Sequence, residues 1–162
     1  MKAHYKISQE DYVNAGNLYG KLTKNQSIIC ALIAAACVAA IFFGPNYIKG
    51  AVIGGLVAGL LVFVILKYLI NPFYGRRHYQ QYKAIQDEFT IEAIEDGIFM
   101  QSPSGSGKVV WGSVHKWRHN DTYILIYPMP RLYYIVPKSL RNDGFDIDLL
   151  VQQLTLHVGK PY

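Results

Sequence analysis

Apolar residues run almost unbroken through one part of this chain and alternate with polar ones through another. Residues 25–48 and 50–66 contain no Asp, Glu, Lys or Arg. Neither stretch shows a polar face at helical spacing, so a helix formed from either is apolar on every side, as a membrane span is. At about 1.5 Å per residue, each approaches the roughly 30 Å hydrocarbon thickness of a bilayer. Gly44-Pro45-Asn46 between them is a turn signal. The pattern therefore predicts a helix over 27–43 and a second over 49–70, closing before Asn71-Pro72. So short a connection makes the two antiparallel neighbours.

From residue 88 the period changes. Phe89, Ile91 and Ala93 alternate with Thr90 and Glu92, and Glu95-Asp96-Gly97 marks a turn before a strand over 98–102. Pro103-Ser104-Gly105-Ser106-Gly107 reads as a second turn, followed by strands over 108–111, 114–119, 122–127 and 132–136. The region is rich in Val, Ile, Tyr and Trp, which suit a pleated, half-buried surface. Beyond Pro137, Ile147, Leu150, Val151, Leu154 and Val158 share one helical face, with Asp143, Asp146 and Asp148 near the positive end of the helix dipole. At the other end of the chain, residues 3–7 alternate like a strand, and Ser8-Gln9-Glu10-Asp11 resembles a capping box opening a helix to about Leu22.

The fold class expected is an α+β membrane protein: a two-helix transmembrane hairpin with a small antiparallel β-sheet or partial barrel capped by a C-terminal helix. Four regions follow. Residues 1–24 form a strand and helix able to join the soluble module, and 25–71 form the hairpin. Residues 72–87 form a basic juxtamembrane segment, and 88–162 form a β-rich cytoplasmic module.

Charge sharpens this division. The formal net charge is +5, but residues 1–83 hold nine Lys and Arg against two acids while residues 84–162 hold seven against nine. Basicity thus flanks the spans instead of covering the soluble module, which argues against a nucleic-acid partner. Lys21 and Lys24 precede the first span, Lys67, Arg76, Arg77 and Lys83 follow the second, and the connection carries only Lys49. Positive flanks mark the cytoplasmic side, so both termini are expected inside, as in a multi-pass inner-membrane protein. The polar start, with Glu10 and Asp11, is unlike a cleavable signal, so the first span is expected to stay. Arg76, Arg77 and Lys83, interleaved with tyrosines, are candidate contacts to anionic lipid headgroups, at about 1 kcal/mol each.

Ala31, Ala35 and Ala39, then Gly50 with Gly54 and Gly55 with Gly59, recur every four residues and are candidate helix-packing positions, within the hairpin or across a homodimer. Neither apolar core holds an Asp, Glu, Arg or His, so an ion pathway lacks its usual groups. Cys30 and Cys37 read as small apolar packing residues.

Catalytic patterns fail on inspection. Ser104-Gly105-Ser106-Gly107-Lys108 has Ser102 where a phosphate loop needs its first Gly, and Val109 where it needs Ser or Thr. His115 and His119 lie in a strand-like stretch, where four residues span roughly 13 Å, too far for one zinc. No catalytic, cofactor or metal residue is therefore assigned, and no enzyme is expected. The densest aromatic group includes Trp117, Tyr133 and Tyr134, with Arg131 alongside. These four are the candidate contacts for a protein partner.

Tyr5-Lys6-Ile7-Ser8-Gln9-Glu10-Asp11-Tyr12, the apolar hairpin, Phe89 through Asp96-Gly97-Ile98, Val110-Trp111 and Tyr134-Ile135-Val136-Pro137 together resemble the YcxB-like bacterial membrane proteins. The resemblance implies a cytoplasmic module similar to a pleckstrin-homology barrel closed by a C-terminal helix, and it brings no catalytic residues. The expected role is a non-enzymatic, membrane-anchored protein-binding or scaffolding module. The alternatives are an immunity protein against a toxin and a sensor of anionic lipid headgroups.

Overall fold

A computed structural model describes residues 2–162. The chain divides into two compact units: residues 21–74 form one, and the N-terminal residues through Gly20 form the other together with 75–162.

In the first unit, helix α2 (Lys24–Phe43) opens on a capping box in which Thr23 and Gln26 satisfy each other's backbone N–H groups. That box adds a turn ahead of the start read from hydropathy alone. The helix ends at Gly44, where a Cβ would collide with the Ala40 carbonyl oxygen, a contact only glycine avoids. Helix α3 (Asn46–Ile65) follows directly. At about 1.5 Å per residue, the 20 residues of each helix span about 30 Å. Both are long and apolar enough to cross a membrane. Their large side chains are exposed along their length, from Ile28 and Leu32 to Leu61 and Phe63.

Asn71-Pro72 does not end the second helix as the sequence suggested. Leu66–Ile70 form a π-turn in which the Asn71 N–H reaches back to the Leu66 carbonyl, and helix α4 (Asn71–Gln81) continues through the proline. A widened turn ahead of a proline accommodates its ring and missing N–H, which would otherwise break a regular helix.

The second unit begins with strand β1 (Lys2–Lys6) and helix α1 (Gln9–Tyr19), and resumes after α4 with β2 (Glu88–Ile94), β3 (Gly97–Ser102) and β4 (Gly105–Val110). These strands make one antiparallel sheet in the order β1-β2-β3-β4. The N-terminal strand thus joins the C-terminal sheet, with Tyr5 opposite Phe89 and Ala3 opposite Ile91. Strands β5 (Lys116–His119), β6 (Tyr123–Met129) and β7 (Leu132–Pro137) make a second sheet. The expected partial barrel is therefore two separate sheets of four and three strands. Helix α5 (Ile147–His157) buries Ile147, Leu150 and Leu154 in the core, and Asp146 caps it by accepting from the Leu149 N–H.

Helix α1 lies on the second sheet through Ala15 and Leu18. Arg118, only 6% exposed, donates from Nη1 to the Leu18 and Tyr19 carbonyls. A cation at the last carbonyls of a helix satisfies groups that have no intrahelical partner and offsets the negative end of the dipole. This fixes the end of α1 at Tyr19, short of the expected Leu22. At its start, the Tyr123 hydroxyl donates to the Asp11 carboxylate at 2.6 Å.

Candidate functional site

The β3–β4 hairpin builds an opening in the sheet unit. Ile98 pairs with Val109, Met100 with Gly107 and Ser102 with Gly105. Directly paired residues project to the same face. Ile98, Met100 and Val109 are buried, so Gly105 and Gly107 occupy two inward positions that carry no side chain. A Cβ added at either meets nothing within 4 Å. The result is a groove of about 430 Å³ lined by the inner face of β3, by β4, by Leu132–Ile135 of β7 and by the residues that flank the hairpin, among them Tyr5, Tyr12, Tyr82 and Ile85.

None of the described residues lining the groove carries a charge. The Tyr5 ring stacks on Phe89 at 5.7 Å, and its hydroxyl donates to the Ile135 carbonyl at 3.0 Å. Burial, with a smaller contribution from Tyr134, holds the Tyr5 phenol far above its ordinary range. Tyr133 is raised likewise by burial and then by Tyr12, Tyr127 and Tyr19. Its ring stacks on Tyr19 at 5.2 Å and leans on Tyr127 at 5.5 Å. These phenols stay neutral through the physiological range, so the groove is aromatic and uncharged.

Two strand edges border it. In an antiparallel ladder, a residue's N–H and C=O point to one side, and the side alternates along the strand. The Trp111 N–H bonds to the Asp96 carbonyl, so Gly105, Gly107 and Val109 turn their backbone groups to β3. Ser106, Lys108 and Val110 turn theirs away from the sheet. The Val110 carbonyl accepts from the Ser113 hydroxyl, while Ser106 and Lys108 face an edge with no neighbouring strand among the described residues. On β7, the Lys138 N–H bonds to the Thr122 carbonyl, which sets Tyr133, Ile135 and Pro137 outward. There the Ile135 carbonyl is already taken by Tyr5.

The candidate residues from sequence separate accordingly. Tyr133 and Tyr134 are half-buried and line the groove, and Arg131 is exposed in the turn just before them. Trp117 is not a surface ring: it is 1% exposed and its Nε1–H donates to the Gly159 carbonyl, so it belongs to the core. Arg76, Arg77 and Lys83 are all exposed. On α4, Gly75 lies against Val13, the Tyr79 hydroxyl donates to the Ile7 carbonyl, and His78 pairs with the Tyr12 hydroxyl. Helical spacing places Arg76 and Arg77 away from that packed face. In the hairpin unit, Ala31, Ala35 and Ala39 are exposed, and a methyl group at Gly50, Gly54, Gly55 or Gly59 would meet nothing within 4 Å.

Gly105, Gly107, Tyr5 and Tyr12 were absent from the sequence-derived set. A signal existed for two of them, because glycines two apart ahead of an inward Val109 mark vacant places on one face of a strand.

Residues 95–154 match the family model described as YcxB-like protein. The chain therefore carries a YcxB-like region that runs from the β2–β3 turn into α5 and includes β4 and β7 of the groove. No curated protein and no solved structure matches the chain.

Proposed function

We propose that the chain is a two-span protein of the bacterial inner membrane whose cytoplasmic sheet module, similar to a pleckstrin-homology module in its four and three strands and its C-terminal helix, binds a protein partner. The observation that carries this reading is the groove: an uncharged, tyrosine-rich opening kept vacant by Gly105 and Gly107 and bordered by a free strand edge. Sites with these features take ligands by apolar burial and a few placed hydrogen bonds. Membrane anchoring is supported by the two long apolar helices and the basic residues around them. The pairing of β1 with β2 supports a hairpin whose two flanks lie on the same side, because the chain must return to the side from which it left. Photo-crosslinking from Tyr134 replaced by benzoylphenylalanine, in native membranes, tests it. A discrete protein adduct is expected, absent when the photoprobe sits at Lys160. No adduct from any groove position would refute the partner reading.

A second reading is favoured by one observation. Arg76 and Arg77 are exposed on the face of α4 turned from α1 and make no ion pair among the described residues. Cations there can draw on anionic headgroups. Vesicle binding that is unchanged by phosphatidylserine content would exclude that role.

A further inference from the structure

We infer that the groove's occupant is an extended polypeptide segment that adds as a strand to the free edge of β4, with one apolar side chain seated over Gly107. This rests on the partner-binding reading and specifies the chemistry of the partner.

Three features select that occupant. The first is the row of backbone groups at Ser106 and Lys108, which point out of the sheet with no strand beside them among the described residues. An extended peptide matches them with its own alternating N–H and C=O groups, the arrangement by which strand addition gains affinity. The second is register. A peptide residue placed opposite Gly107 projects its side chain to the same face as Gly107 and Met100, which is the vacant interior of the groove. Its two neighbours project outward, so one anchor enters and its sequence neighbours stay wet. The third is the lining, which holds aromatic rings and no charge. An anionic headgroup finds no counter-charge there. An acyl chain would cover the β4 backbone and leave buried donors and acceptors unmatched, a penalty a peptide does not incur.

The opposite side of the groove confines the peptide to one edge. The Tyr5 hydroxyl holds the Ile135 carbonyl, so an added strand on β7 would have to compete for that acceptor. Strand addition therefore proceeds on β4.

The test uses the full chain in phosphatidylcholine nanodiscs, panned against a library of random nine-residue peptides. The enriched peptide is made with a fluorescein label, and binding is read by anisotropy. Expected are enrichment of uncharged sequences with an apolar residue at one fixed position, loss of at least about tenfold in affinity when alternate amides are N-methylated in one register and not the other, and a similar loss in Ser106→Pro. Proline there removes an outward N–H and no bond to β3, a placement edge strands tolerate. Gly107→Phe, which fills the anchor site, should abolish binding. The N-methylated peptides leave the protein untouched, so the conclusion does not depend on either variant folding. Failure to enrich any peptide over empty nanodiscs, equal binding of both N-methylated registers, or displacement of the peptide by cis-parinaric acid as an acyl-chain probe would each overturn strand addition. If the groove crosslink forms while the N-methyl test fails, the mode is wrong and the partner reading stands. If the crosslink is also absent, both fall.

Discussion

Replacing Gly107 with valine should stabilise the sheet unit while weakening partner capture. The backbone at Gly107 is not in the left-handed region, and its Cβ direction is open. Valine therefore enters without strain. Removing a glycine from a strand lowers the entropy of the unfolded chain by about 0.4–1 kcal/mol. A fully buried valine side chain adds about 1.5 kcal/mol, and position 107 faces a partly open groove, so about half of that is realised. The sum is a gain of about 1–2 kcal/mol. Trp111 and Trp117, both buried in this unit, report its unfolding by fluorescence. In urea, the midpoint should rise with an unchanged slope, the signature of altered stability without altered compactness. The crosslink from position 134 should fall in the same variant. A vacancy kept at the expense of stability is what a binding site requires, since filling it is otherwise favourable. A loss of stability would show that the inward direction at Gly107 is occupied, and undiminished crosslinking would show that the groove is not the partner site.

Other perturbations probe the scaffold around the groove. Gly97→Ala should cost about 1–3 kcal/mol in thermal unfolding, because its Cβ would lie within 3 Å of three backbone atoms of Val109 and Val110, which cannot swing aside. Arg118→Met keeps an apolar stem but strips the Leu18 and Tyr19 carbonyls of their donor, so a loss of about 1.5–3 kcal/mol and faster amide exchange in α1 are expected. Burial alone would raise the Asp11 carboxyl, yet hydrogen bonds from the Ser8 hydroxyl, the Tyr123 hydroxyl and the Ser8 N–H outweigh it and hold it below its ordinary 3.8. Its stabilisation is therefore full above 3.8 and lost as pH falls through the lowered value, so Asp11→Asn should be less stable at neutral pH and the gap should close in acid. Residues 88–162 expressed alone lack β1 and α1, and should give an unprotected β2 edge and poor amide protection, whereas coexpression with residues 1–87 restores the β1–β2 pairing and the protection.

What could be read from the sequence depended on whether local pattern and tertiary surroundings agreed. The apolar helix pair, the Ser8–Asp11 capping box and the apolar stripe of α5 need only their own neighbours, and they formed as expected. Asn71-Pro72 misled because a proline ends a regular helix but not one that first widens into a π-turn. Ser104 to Gly107 looked like a loop because serine and glycine are poor strand formers. The ladder to β3 overrides that weak preference and turns the same glycines into the empty wall of the groove. Trp117 misled for a different reason. Alternation assumes one covered face, but in β5 both Trp117 and Arg118 are buried, since the core takes one and the end of α1 takes the other. No period of two can be read where both faces are covered.

The inserted hairpin and the groove are linked by the chain itself. Strand β1 pairs with β2 across everything from residue 7 to residue 87, a closure whose entropic cost exceeds that of a ten-residue loop by only about 2 kcal/mol. That small penalty is offset by burying Ala3, Tyr5 and Ile7. The same closure brings Tyr5 and Tyr12 from one flank of the hairpin and Tyr82 and Ile85 from the other into a single wall of the groove. Tyr5 also ties that wall to β7 through the Ile135 carbonyl. A groove assembled from both flanks of the insertion can form only when the two flanks meet. Formation of this wall therefore depends on the pairing of β1 with β2, and a variant that breaks that pairing should lose the groove along with the strand.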